Sequence, residues 1–192
     1  MANITMDKNN QQRKLIVIPI LHTKEDMGSL GHRLMAQSGY HTQANDYWRK
    51  IASKVKNLPY DLSKSKAYQD GLPDTQPELV EKIVGQVESH NYELLRWLKD
   101  QGATIVGTES PNLIEEEYEH LKAIFEATNE EEKLEARKRY QERAGTLLSA
   151  RDAYIAQKID TTLKKGELGI LFLGAAHKID RFLPKTLVVK EL

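Results

Sequence analysis

Two uninterrupted apolar runs constrain this chain more than anything else in it. Lys14 to Ile20 reads KLIVIPI, and Gly169 to Gly174 reads GILFLG. Neither alternates polar with apolar residues, so neither suits a sheet with one wet face. Strands of this kind are covered on both sides, which is the condition of a parallel strand in an α/β protein.

The segments between them supply the covering layers. Asp46 to Leu58 carries Trp48, Ile51, Ala52 and Val55 at helical spacing, and Pro59 stops it. Met27 to Gln37 shows a weaker helical pattern. Thr75-Gln76-Pro77-Glu78 reads as a capping box opening a helix with Val80, Val84, Val87, Leu94, Leu95 and Leu98 on one side, ending at Gly102. Further helices are expected over Asn112 to Ala127 and Asn129 to Lys165, the latter so rich in Glu, Lys and Arg up to Arg143 that its first half should stand in solvent. Ser65 to Asp70 and Ala103 to Val106 read as shorter strands, and Thr186 to Val189 as an edge strand. Strands alternating with helices give the expectation of an α/β fold: a small, mostly parallel sheet with flanking helices. Residues 14–192 form one domain with a large helical insertion at about 112–165, behind a polar, poorly ordered tail over 1–13.

Composition narrows the functional classes. The 192 residues carry 28 Lys+Arg against 28 Asp+Glu, so no basic face for nucleic acid or an anionic membrane is expected. The absence of cysteine excludes disulfides, thiolate catalysis, zinc fingers and iron–sulfur clusters. The N-terminal apolar run Leu15 to Leu21 is too short to span a bilayer and lacks a secretory cleavage pattern, so a cytoplasmic protein is expected.

In open parallel sheets, ligands bind outside the carboxyl ends of the strands. That edge should hold His22 after the first strand, Asp70 after the second, Glu109 after the third and His177 after the last. Imidazole with carboxylate suits a divalent transition metal such as zinc or manganese, with His22, His177 and Glu109 as ligands, or acid–base action on a water. Each residue also has a plainer role available. His177 can close a buried strand, Glu109 sits on a Gly-Thr-Glu-Ser-Pro turn, and Asp70 precedes Gly71 in common turn chemistry. Gly174 and Ala175 are small enough to let a ligand approach the backbone, and with Asp26 and Asp70 they are the candidate substrate contacts. Arg151 lies where the long helix turns apolar, with Ala150, Tyr154, Ile155 and Ile159, so it should meet an anion or a carboxylate. His32, His41, His90 and His120 have no comparable position. The glutamate runs 115–117 and 130–132 lie near helix starts, where the macrodipole favours them.

The segment from Arg151-Asp152-Ala153-Tyr154-Ile155-Ala156 to Gly174-Ala175-Ala176-His177 resembles the C-terminal signature of the TraB/GumN/TIKI group, in the superfamily that includes erythromycin esterases and ChaN-like proteins. In that signature an arginine-bearing helix precedes a strand ending in GxxH. Gly107-Thr108-Glu109-Ser110 is similar to the group's glutamate turn. At the group's first GxxH this chain reads Pro19-Ile20-Leu21-His22, with proline in place of glycine. The resemblance implies paired histidines and a glutamate at one edge of an α/β sheet. Its members include metal-dependent proteases, lactone-opening esterases and a haem-binding lipoprotein.

Three functions are therefore expected to compete. One is a hydrolase of ester, lactone or peptide-like substrates, with His22, Glu109, Arg151 and His177 as the catalytic set. The second is a non-catalytic module holding a small ligand, haem or a metal ion. The third is a signalling protein whose charged helices bind a partner.

Overall fold

Register and burial of the strands follow directly from the two apolar runs. The computed structural model describes residues 12–21 and 40–192, the side chains of 40–43 excepted. His22, Asp26, His32, the helix expected over 27–37 and most of the expected tail lie outside the described residues. Strand β1 (Arg13–Ile20) pairs in parallel with β4 (Leu168–Gly174), setting Leu15 beside Gly169 and Ile20 beside Gly174. On its other side β4 takes β2 (Ser65–Gln69), which in turn takes β3 (Thr104–Val106). The last strand, β5 (Leu187–Glu191), pairs with the outer side of β1. Among the described residues the sheet has five strands, all parallel, in the order β3-β2-β4-β1-β5.

The period of two sorts the side chains into two cores. Ile16, Ile18, Ile20, Ile170 and Phe172 pack with Trp48, Ile51 and Val55 of helix α1 (Tyr40–Lys56). The same core takes Val80 and Val84 of α2 (Pro77–Gln86), and Leu94, Leu95 and Leu98 of α3 (His90–Asp100). Leu15, Tyr68, Leu171 and Leu173 point the other way, onto Ile155, Ile159 and Leu163 at the end of the long helix. Each fully buried aliphatic or aromatic side chain contributes about 1.5–3 kcal/mol. Every residue of β4 is buried, as its composition requires.

The helix expected from Thr75 to Gly102 is two helices. No capping box forms: Gln76 holds the cap position without a side-chain bond, and Pro77 opens the helix. The break falls at 87–89. There Arg96 of α3 reaches back, its Nη1 donating to the carbonyls of Val84 at 2.6 Å and Val87 at 2.9 Å. That guanidinium satisfies the terminal carbonyls of α2 and stabilises the break.

The insertion is a helical hairpin of α4 (Pro111–Glu126) and α5 (Glu130–Thr162). Asn129 caps α5 by accepting from the amide of Glu132, whose carboxylate accepts in return from the amide of Thr128. The early turns of α5 are largely in solvent, as their charge indicates, with Leu134 71% exposed. Arg143 pairs with Glu116, and the His120 ring lies against Tyr140. The later turns bring α5 back across the sheet. Among the described residues, no helix is long and apolar enough to cross a membrane.

Candidate active site

The loops after β2 and β3 are clamped together by backbone. Thr108 and Glu109 both donate their amides to the Leu72 carbonyl, at 2.8 and 3.0 Å, and Asp74 donates to the Glu109 carbonyl at 2.7 Å. This approach explains Gly107: a Cβ there would lie 2.3 Å from the Pro73 oxygen. The clamp drives the Glu109 side chain inward. Its Oε1 accepts the Gly71 amide at 2.7 Å, with Gly71 at a φ of 78°, where a residue with a side chain is strained.

Arg151 then draws three carboxylates around one guanidinium. Its Nε donates to Glu109 Oε2 at 2.5 Å, and its Nη2 to Glu109 Oε1 at 2.6 Å and Asp70 Oδ1 at 2.9 Å. Its Nη1 donates to Glu117, which reaches in from α4 and also accepts the Tyr140 hydroxyl. Four of the five Arg151 N–H groups therefore donate to protein carboxylates, and the residue positions them.

His177 is held between two more contacts. Its Nδ1 lies 2.7 Å from Asp152 Oδ1 and its Nε2 lies 3.2 Å from Asp70 Oδ2. Asp152 also accepts the Lys178 amide, and Asp70 Oδ2 accepts the Gly174 amide, each at 3.0 Å. The histidine side chain is only 4% exposed, although Ala175 and Ala176 before it are open to solvent.

Charge and burial set the protonation states. Burial disfavours a charged His177, but the hydrogen bond and charge of Asp70, with Asp152 behind it, push its pKa up to about 9. Burial would raise Asp70, yet His177, Glu109 and Arg151 hold it well below the usual carboxylate range. Burial pushes Glu109 up to about 7, with Arg151 opposing and Asp70 adding to the rise. At neutral pH His177 is an imidazolium facing an ionised Asp70.

These groups meet a cleft of about 670 Å³ at the carboxyl edge of the sheet. Asp70, Arg151, His177 and Glu117 form its charged side; Tyr92, Leu121 and Leu148 are among its apolar walls. Glu109 is fully buried and lies off the cleft surface, behind Arg151. A larger depression, of about 1140 Å³, runs along the hairpin tip past Leu134 and holds none of these groups.

Comparison with protein-family models, curated proteins and solved structures finds no match.

Of the residues expected at this edge, Asp70, Glu109, Arg151, Gly174, Ala175 and His177 do come together, while His22 and Asp26 lie outside the described residues. Asp70 is far more than a turn residue: it bridges Arg151 and His177. Two participants were not expected at this edge. Glu117 stands in a glutamate run, but Arg151 rather than the helix dipole accounts for its position. Asp152 is the immediate neighbour of Arg151, and the 100° step between adjacent helical residues aims one at Glu109 and the other at His177.

Asp70, Glu109 and His177 each offer a ligand atom, all within 4.8 Å of one another. One imidazole nitrogen with two carboxylate oxygens suits zinc or manganese, and Asp152 on Nδ1 is the outer partner that metal-bound histidines use.

Proposed function

We propose that the protein is a hydrolase that activates water at this cleft, on an ester, lactone or peptide-like substrate, and that it is a compact relative of the TraB/GumN/TIKI group. The observation that carries this reading is the Asp152–His177–Asp70 relay opening onto the cleft. An imidazolium and a carboxylate in contact, with opposite protonation states, form an acid–base pair.

In this reading the His177 imidazolium polarises the scissile carbonyl at Nε2 and then protonates the leaving oxygen or nitrogen. Asp70 takes the proton of the attacking water and passes it across the 3.2 Å contact to His177, which restores the resting state. Asp152 fixes the ring, while Arg151 and Glu109 hold Asp70. A divalent ion, where bound, would be held by His177, Asp70 and Glu109 in place of the Nε2 proton, and would supply by Lewis-acid polarisation what the imidazolium otherwise supplies.

A panel of ester, lactone and peptide substrates tests the proposal. His177→Ala should abolish turnover, and Asp152→Asn should lower kcat by at least about tenfold, because the ring loses the carboxylate that orients it. Elemental analysis run in parallel should show any bound transition metal lost from His177→Ala. A wild-type protein inert across the panel, or a His177→Ala variant of unchanged activity, overturns the hydrolase reading. A second reading, ligand binding without turnover, draws support from the protein carboxylates that already face both ring nitrogens of His177; calorimetric binding with no hydrolysis would establish it.

A further inference from the structure

The tip of the helical hairpin takes no part in the cleft chemistry, yet it carries the most exposed large apolar side chain among the described residues. Leu134, in the second turn of α5, is 71% exposed. The helix packs on α4 through its other side: Ala136 is 3% exposed, and Tyr140 and Arg143 reach Glu117 and Glu116 of α4. At 100° per residue, Leu134 and Ala136 are about 200° apart around the axis, so Leu134 points away from α4. Further along that outward face, a Cβ on Gly145 would meet nothing within 4 Å.

Residues three and four positions either side of Leu134 share its face. Glu130 and Glu131 precede it there, Arg137 and Lys138 follow it, and all four are exposed. Glu130 makes only a 3.7 Å contact with Lys133, while Glu131, Arg137 and Lys138 have no ion pair among the described residues. Glu131, Leu134, Arg137 and Lys138 also border the depression of about 1140 Å³ at the hairpin tip. A second α5 laid antiparallel, leucine on leucine, brings residues equally far before and after position 134 face to face. Lys138 then meets Glu130 of the second copy and Arg137 meets its Glu131, and the two-fold axis makes each pair twice. A parallel pairing would set like charges together, so the pattern specifies direction as well as partner. The chain has no formal net charge, so no overall repulsion opposes the approach. Arg151 lies about 25 Å further along the axis, which leaves the two sheets at opposite ends of the pair.

We infer that the outward face of α5 around Leu134 is a homodimer interface, on which a second copy of this chain docks its own α5 antiparallel. Leu134 packs on Leu134, and Glu130 and Glu131 of each copy meet Lys138 and Arg137 of the other. Exposed ion pairs contribute little individually. Burial of the two leucines drives the association, and the charges select the partner and its direction. The interface lies away from the acid–base groups, so the inference stands apart from the hydrolase reading.

Sedimentation velocity on the full chain tests it. The protein should pass from monomer to dimer as its concentration rises through the micromolar range. Leu134→Glu should weaken dimerisation at least about tenfold, since apolar burial is lost from both copies. The double variant Arg137→Glu/Lys138→Glu makes the face wholly acidic, and Glu130→Lys/Glu131→Lys makes it wholly basic. Each should be monomeric alone, with the circular dichroism of the wild type. Mixed in equal amounts they should form a heterodimer, because every facing pair is then of opposite sign. That recovery is one that a merely damaged helix would not show. A wild type monomeric throughout, a species larger than a dimer, or a dimer that survives Leu134→Glu or either charge reversal would overturn the interface. Two variants that fail to pair on mixing would do the same.

Discussion

Replacing Arg151 with methionine removes a guanidinium while keeping an apolar side chain of similar length. The cost follows from what remains. Arg151 makes four hydrogen bonds to three carboxylates, whose side chains are 10% exposed at Asp70, 0% at Glu109 and 26% at Glu117. Breaking a buried ion pair from one side typically costs 3–5 kcal/mol, since the surviving charge has neither water nor partner. About 4 kcal/mol is expected here at pH 8, a fall in Tm of roughly 8–16 °C for a chain of this size. The loss should also depend on pH. Without the guanidinium, Glu109 takes up a proton more readily, so its folded-state pKa moves further above the unfolded value. Such a group binds more protons folded than unfolded, and stability then falls as pH rises between the two values. Urea unfolding followed by circular dichroism at pH 5 and pH 8 should therefore show the larger destabilisation at pH 8. Adding Glu109→Gln should recover part of it. A loss below about 1 kcal/mol, or one equal at both pH values, would show that Arg151 does not neutralise these carboxylates.

Two other outcomes follow from the same geometry. The His177 pKa, raised to about 9, means that its interactions are fully present below about pH 6.5 and are lost as pH rises through 9. Wild-type stability should decline by roughly 3 kcal/mol across that window, and His177→Gln should flatten the decline in the same unfolding assay. Gly107→Ala places a Cβ 2.3 Å from the Pro73 oxygen and should cost about 1–3 kcal/mol by strain, with a Tm fall measurable by calorimetry; an unchanged Tm would mean the two loops are not clamped.

What was legible in the sequence was the unbroken apolar runs and the places where they ended. KLIVIPI and GILFLG read as two parallel strands, and the end of the second led to His177, while the shorter strands expected over 65–70 and 103–106 led to Asp70 and Glu109, all without a local motif. Arg151 was legible because a cation on an apolar helical face needs a partner. Glu117 was not, because it resembles its neighbours Glu115 and Glu116 until α4 folds beside α5. The break between α2 and α3 was hidden for a related reason. It depends on Arg96 reaching carbonyls 9 and 12 residues earlier, while the apolar pattern runs on through Val87. Asp70 was underrated because an Asp-Gly pair makes a good turn anywhere, and its two partners lie 81 and 107 positions away in the chain.

The position of β1 has a further consequence, for synthesis on the ribosome. Its two sheet neighbours are β4 and β5, more than 150 residues downstream. KLIVIPI therefore emerges long before either partner and stays unpaired until more than 150 further residues have been made. A sheet closed by contacts this distant in sequence folds slowly. The nascent chain must meanwhile shield an apolar, β-branched segment that is the natural nucleus for association between unfinished copies.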